Sequence, residues 1–212
     1  MDFLGIIASI IVLIFLLVGG YFVYTILQRQ RQFQLICSDE HLLEIREVFE
    51  EVSKDIILPL YGNLSKTQIS TKSDNNDLVT EADKLGEIFI KSKLNILSEN
   101  FNFIGEESYN NEIIKKIENS NSLFTWTCDP IDGTFNFANN DEKFCIMISL
   151  CKSKIPIFSW LYFPVFEIFC YSNYSEIILE HKNNKLSINR QNQKIIKVMT
   201  ENLKWKKVIQ KN

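Results

Sequence analysis

No two cysteines in this chain are spaced Cys-x-x-Cys, histidine occurs only twice, and basic residues are not in excess. Each shortage removes a class of function. The five cysteines, Cys37, Cys128, Cys145, Cys151 and Cys170, are scattered, and three lie in apolar strand-like runs. They read as reduced core residues of a cytosolic protein rather than a disulfide framework. His41 and His181 stand alone and far apart, which argues against a zinc site; any metal here is expected to be oxygen-bound. A formal net charge of -3 at pH 7 gives no reason to expect nucleic acid as a partner. No internal repeat is visible. What remains is a foldable chain of 212 residues, 46% hydrophobic and 23% charged, enough for one ordinary domain plus an extension.

The longest charge-free run is at the N-terminus. Phe3 to Leu27 carries no charged side chain and is dominated by Ile, Leu, Val and Phe. At helical rise it is long enough to cross a hydrocarbon core of ~30 Å. Arg29 and Arg31 follow at once, while the N-terminal flank offers only Asp2, so the positive-inside rule places the C-terminal side in the cytoplasm. The run lacks a basic n-region and a small-residue cleavage site, which sets it apart from a signal peptide. A buried core helix is the bland alternative. The expectation is a single-pass membrane anchor over residues 1–28, a polar and basic juxtamembrane linker over 29–38, a domain over 39–201 and a basic tail over 202–212.

Within the domain, Leu42, Ile45, Phe49, Val52 and Ile56 recur at helical steps, predicting an amphipathic helix from Asp39 to Leu58 that Pro59 ends. Gly62 to Asn76 reads as a loop or short hairpin. A second helix to about Leu97 is predicted with Ala82, Leu85, Phe89 and Ile96 inward, and Thr80 with Asp83 has capping-box spacing at its start. Phe101 to Ile104 is strand-like, and Asn110 to Ser122 reads as a surface excursion. Phe124, Trp126 and Cys128 alternate like a strand, as do Phe144, Ile146, Ile148 and Leu150. Trp160 to Phe163, a Pro164 turn and Glu167 to Tyr171 make a buried hairpin, a polar hairpin follows around Asn183-Asn184, and Lys194 to Met199 is a last short strand.

The chemistry gathers at Asp129-Pro130-Ile131-Asp132-Gly133-Thr134, where two carboxylates, a proline, a glycine and a hydroxyl follow a strand. An Asx/Pro/Gly turn is the bland reading. A strand ending in paired acids and a glycine also suits a hard cation beside a phosphate. Glu106 ends the other strand-like run. If the two strands are neighbours, three acids converge at one sheet edge and raise their own pKa values unless a cation neutralises them.

Three stretches in order carry a resemblance to the inositol monophosphatase-like phosphatases: Asp77-Leu78-Val79-Thr80-Glu81-Ala82-Asp83, Ile104-Gly105-Glu106-Glu107-Ser108, and Trp126 through Asp129-Pro130-Ile131-Asp132-Gly133-Thr134 with Asn136-Phe137. The likeness implies an α/β fold, the N-terminal portion of a layered αβαβα sugar-phosphatase arrangement. It implies Mg²⁺ held by Glu106, Asp129, the carbonyl of Ile131 and Asp132, with Thr134 and Asp83 orienting and deprotonating an attacking water. The amides of Gly133 and Thr134 would cradle phosphate, and Lys72 aligns with a basic residue of the active-site loop. The expected activity is hydrolysis of inositol monophosphate or a related small phosphorylated metabolite.

Members of that family continue past the equivalent of Glu201 and carry a Trp-Asp-x-Ala-(Ala/Gly)-Gly motif; here Trp205 is followed by Lys206. The expectation is therefore a truncated member whose first metal site is complete. Two alternatives follow: a 3′(2′),5′-bisphosphate nucleotidase of the same superfamily, or a metal-binding remnant that does not turn over. Completion by another chain is a further option, with a homodimer as the possible partner arrangement.

Overall fold

The computed structural model describes residues 14, 16–24, 27, 39–71, 78–172, 176–181 and 184–189. The chain divides into two compact units, Met1–Glu47 and Val48–Asn212. In the first unit, residues 14, 16–24 and 27 are helical, and their side chains are exposed. Among the described residues no helix is long and apolar enough to cross a membrane. The rest of the expected Phe3–Leu27 span lies outside the described residues, as do Cys37, Lys72, Asn183, the expected strand at 194–199 and the basic tail.

Helix α1 (Asp39–Val52) runs into the second unit and continues through a π turn, Ser53–Ile57, and a last turn, Leu58–Leu60. The helix thus passes Pro59 by one residue instead of ending before it. A wider turn adds a residue per repeat and relaxes the clash of a proline ring with the carbonyl four residues back. The same extra residue rotates the buried stripe: Phe49, Val52 and Ile57 are buried, and the expected Ile56 is only half-buried.

The polar stretch after Gly62 forms a hairpin, β1 (Ile69–Thr71) against β2 (Leu78–Thr80). Helix α2 (Glu81–Leu97) follows, and the Thr80–Asp83 capping box forms as its spacing predicts. Its inward face corrects the expectation. Ala82, Asp83, Gly86, Glu87, Ile90 and Leu94 are buried, whereas Leu85 and Ile96 are exposed. Two acids have displaced two aliphatics because each finds hydrogen-bond donors inside.

The second unit is built on a seven-stranded sheet in sequence order: β3 (Asn102–Gly105), β4 (Phe124–Asp132), β5 (Cys145–Lys152), β6 (Ile155–Phe163), β7 (Ile168–Ser172), β8 (Glu176–His181) and β9 (Asn184–Asn189). Only β3 and β4 are parallel; every other neighbouring pair is antiparallel. The crossover between β3 and β4, expected as a surface excursion, contains helix α3 (Asn111–Glu118). Asn110 caps it by accepting from the Ile113 amide at 2.9 Å. A short helix α4 (Thr134–Ala138) follows β4.

On one face of β4, Phe124, Trp126, Cys128 and Pro130 are buried, and Thr125, Thr127 and Asp129 on the other are half-buried. Trp126 anchors the core: its Nε1 donates to Ser98 Oγ at 2.7 Å and its ring lies against Trp160 and Phe101. Phe144, Ile146, Ile148 and Leu150 are all buried as expected, but strict alternation holds only from Ile146 to Leu150, because Cys145 and Cys151 are buried too. Cys128, Cys145, Cys151 and Cys170 are free and buried.

Candidate active site at the end of β4

Parallel register brings two acids together. Gly105 pairs with Cys128, so the next residues along, Glu106 just past the end of β3 and Asp129 within β4, lie side by side. The Glu106 amide donates to Cys128 O at 3.0 Å, fixing that placement. β4 then departs from regular pairing. Asp129 faces Met147 and Asp132 faces Cys145, three steps on one strand against two on the other. A regular strand points residues three apart to opposite faces; one extra residue brings them to the same side.

The electrostatics record this crowding. Burial, then the neighbouring Glu106 carboxyl and the Asp132 charge push Asp129 up from 3.8 to about 8, against one lowering bond from the Ile131 amide at 3.0 Å. The Cys145 thiol donates to Asp132 Oδ2 at 3.8 Å, and burial together with that carboxylate pushes the thiol well above its usual range. Beside the acids opens a cleft of about 620 Å³, lined in part by Glu106, Tyr109, Thr127, Asp129, Met147 and Ser149.

The second group sits where α2 and α4 begin. Asp83 is fully buried. Its Oδ2 accepts from the Thr80 amide at 2.8 Å and from the Thr80 hydroxyl, and its Oδ1 faces Thr134 Oγ1 at 3.1 Å. Burial raises the Asp83 pKa, and the bonds from Thr80 and Thr134 partly offset that. Thr134 Oγ1 also lies 3.0 Å from Ile131 O, so its single proton has two acceptors. A continuous chain results: Asp83, Thr134, the Ile131 backbone, Asp129, Glu106.

Gly133, with φ +91°, turns β4 into α4. A Cβ there would lie 2.9 Å from Lys143 O, so glycine is required by both conformation and space. Asn136 clamps the same loop, its Nδ2 donating to Lys143 O at 2.7 Å, and Phe137 is core.

The structure thus brings together Asp83, Glu106, Asp129, Ile131, Asp132, Gly133 and Thr134; Lys72 lies outside the described residues. Among the described residues no group of three His, Cys, Asp or Glu is closed tightly enough to form a ready metal cage. The donors are nonetheless hard oxygens crowded until one resists ionisation, which fits a divalent cation. Sequence reasoning missed Glu87 and Cys145 near this cluster. Glu87 could have been found four residues after Asp83, on the same face of α2.

The profile of the inositol monophosphatase family matches residues 40–209. The chain belongs to this family. It is 34% identical over 127 residues to a 3′(2′),5′-bisphosphate nucleotidase CysQ of Buchnera aphidicola, covering 59% of this chain and 46% of that protein. It is 36% identical over 132 residues to an inositol monophosphatase of Dictyostelium discoideum, covering 62% and 46%. Among solved structures, the extragenic suppressor protein suhB from Bartonella henselae superposes with a TM-score of 0.59 at 22% identity, covering 69% of this chain and 54% of that one. The Thermotoga maritima IMPase gives 0.56 at 18%, covering 69% and 52%. These likenesses show the mixed α/β fold of the family. The chain spans about half the length of the curated relatives it matches.

Proposed function

We propose that this chain is a Mg²⁺-dependent phosphomonoesterase acting on inositol monophosphate or a related small phosphorylated metabolite. The observation that supports the reading is the hydrogen-bonded chain from Asp83 through Thr134 and Ile131 to Asp129, with Glu106 against Asp129. In it, Glu106, Asp129, Asp132 and the carbonyl of Ile131 would hold Mg²⁺. When bound, the ion supplies positive charge to the acid cluster and the Lewis acidity that polarises water and phosphoryl oxygen. Thr134 Oγ1 accepts the proton of the attacking water and passes its own to Asp83 Oδ1. Burial makes Asp83 the better base for that proton. The amides of Gly133 and Thr134 orient the phosphate, and Lys72 adds positive charge.

Release of inorganic phosphate from inositol 1-phosphate, with Mg²⁺ and with EDTA, tests this. Release that ignores EDTA, or full activity in Asp129→Asn, overturns the proposal. The 34% identity to the nucleotidase supports a second substrate class, an adenosine bisphosphate, to be assayed in parallel. Mg²⁺ binding without turnover of either substrate would assign the chain as a non-catalytic remnant. The charge-free run Phe3–Leu27, followed by Arg29 and Arg31, supports a single-pass anchor with the remaining chain on the cytoplasmic side. Release from membranes by alkaline carbonate, without detergent, would reject that anchor.

A further inference from the structure

Glu87 is a buried carboxylate that the proposed chemistry does not use. It lies on α2 one turn beyond Asp83 and is 5% exposed. Its Oε2 accepts the Glu107 amide at 2.7 Å, and its Oε1 accepts the Ser108 amide at 3.0 Å. On the other side of Glu106, Gly105 makes room for the same carboxylate, since a Cβ at 105 would lie 2.1 Å from the Glu87 carboxyl carbon. Glu106 therefore sits between a glycine that Glu87 packs over and two amides that Glu87 holds. Its own amide is tied to Cys128 O on β4. Three successive amides, at 106, 107 and 108, are thus fixed from two elements, which leaves the backbone beneath Glu106 a single direction.

We propose that Glu87 is a positioning residue that aims Glu106 at Asp129 by clamping the turn after β3. A carboxylate is the group that suits the place. It offers acceptors at both oxygens, whereas a glutamine presents an NH₂ to one of two amide donors. The helix supplies the rigidity, so that the turn takes its position from α2 as well as from the sheet. The metal arm of this inference rests on the Mg²⁺ reading of the site; the clamp itself does not.

The test uses the full chain and two readouts. Amide hydrogen exchange in EDTA reports the clamp, and calorimetric titration with Mg²⁺ alone reports the aim. In Glu87→Gln with a native circular-dichroism spectrum, exchange at Glu107 and Ser108 should speed up by about 10-fold or more. Mg²⁺ affinity should fall about 10- to 100-fold, the usual effect of losing an outer-shell partner. Wild-type protection at both amides, or wild-type Mg²⁺ affinity, overturns the proposal. Should Glu87→Gln not fold, Glu87→Asp carries the same two measurements, keeping the charge on a stem one methylene too short to reach both amides. Failure of the unsubstituted chain to bind Mg²⁺ would overturn the metal reading instead. The clamp is then decided by exchange alone: fast amides in the variant uphold it and protected ones refute it.

Discussion

Asp129→Asn in metal-free protein isolates what the acid cluster costs the fold. The Asp129 carboxyl takes up its proton near pH 8 when folded, against 3.8 ordinarily, because burial, Glu106 and Asp132 all oppose its charge. A raised folded value means that the stabilisation is present below the unfolded value and is lost as pH rises through the folded one. Metal-free protein should therefore weaken between about pH 4 and pH 8. A shift of ~4 units corresponds to roughly 6 kcal/mol if undiminished. Asp129 is only half-buried and its neighbours Glu106 and Asp132 are exposed, so screening reduces this to about 2–3 kcal/mol. For a chain of this size that is a fall in Tm of about 4–12 °C. Asparagine keeps the oxygen that accepts from the Ile131 amide and removes the charge. Melts in EDTA from pH 5 to 9 should show the wild type declining and the variant nearly flat, with the variant the more stable at pH 9. Adding Mg²⁺ should raise the Tm of the wild type alone. Equal pH slopes in the two proteins, or a variant destabilised equally at every pH, would refute the reasoning.

Thr134→Ala should lower kcat about 100-fold while Thr134→Ser recovers most of it, because the proposed proton path runs through this hydroxyl to Asp83; steady-state kinetics on inositol 1-phosphate decides. Gly133→Ala should cost about 1–3 kcal/mol in urea unfolding, since φ +91° and a Cβ 2.9 Å from Lys143 O both oppose alanine; an unchanged midpoint would show that the turn yields freely. The exposed aliphatics Leu85, Ile88 and Ile96 lie along α2. Self-association is expected by light scattering after size exclusion, and a monodisperse monomer would count against it.

What was legible in the sequence and what was not divides along the range of the interactions. The alternation of Phe124, Trp126 and Cys128 announced β4 because strand periodicity is a local property that a buried face enforces. Helix α3 was also legible in principle, from Asn110 as cap and Ile113, Ile114 and Ile117 at helical steps, but its short polar character hid it. The face of α2 was not legible from hydrophobicity. Leu85 and Ile96 outrank Asp83 and Glu87 on any apolar scale, yet the acids are inside. Asp83 has a local donor in Thr80, but its second oxygen is met by Thr134, and both donors to Glu87, the Glu107 and Ser108 amides, are far away in the chain. A buried carboxylate is tolerable only with such partners, and no window along one helix contains them.

The acid cluster follows the same rule. Residues three apart on a regular strand face opposite ways, so Asp129 and Asp132 read locally as one inward and one outward residue. Pairing with β5 inserts the extra residue that brings them to one side. The sequence brings Glu106, Asp129 and Asp132 together only on the condition that the two strands are neighbours, and the roles of Asp83 and Thr134 come from resemblance, which carries the result of distant pairings without their cause. The cause lies in the sheet. Parallel register delivers Glu106 to Asp129, the bulge delivers Asp132, and the left-handed Gly133 swings Thr134 back to Asp83. Each step repositions one oxygen-bearing group, and each depends on a different neighbour of β4. Substitutions at Gly105, Gly133 or Glu87 should therefore disturb the site as surely as loss of an acid, although no side chain of the three takes part in the proposed phosphate chemistry itself.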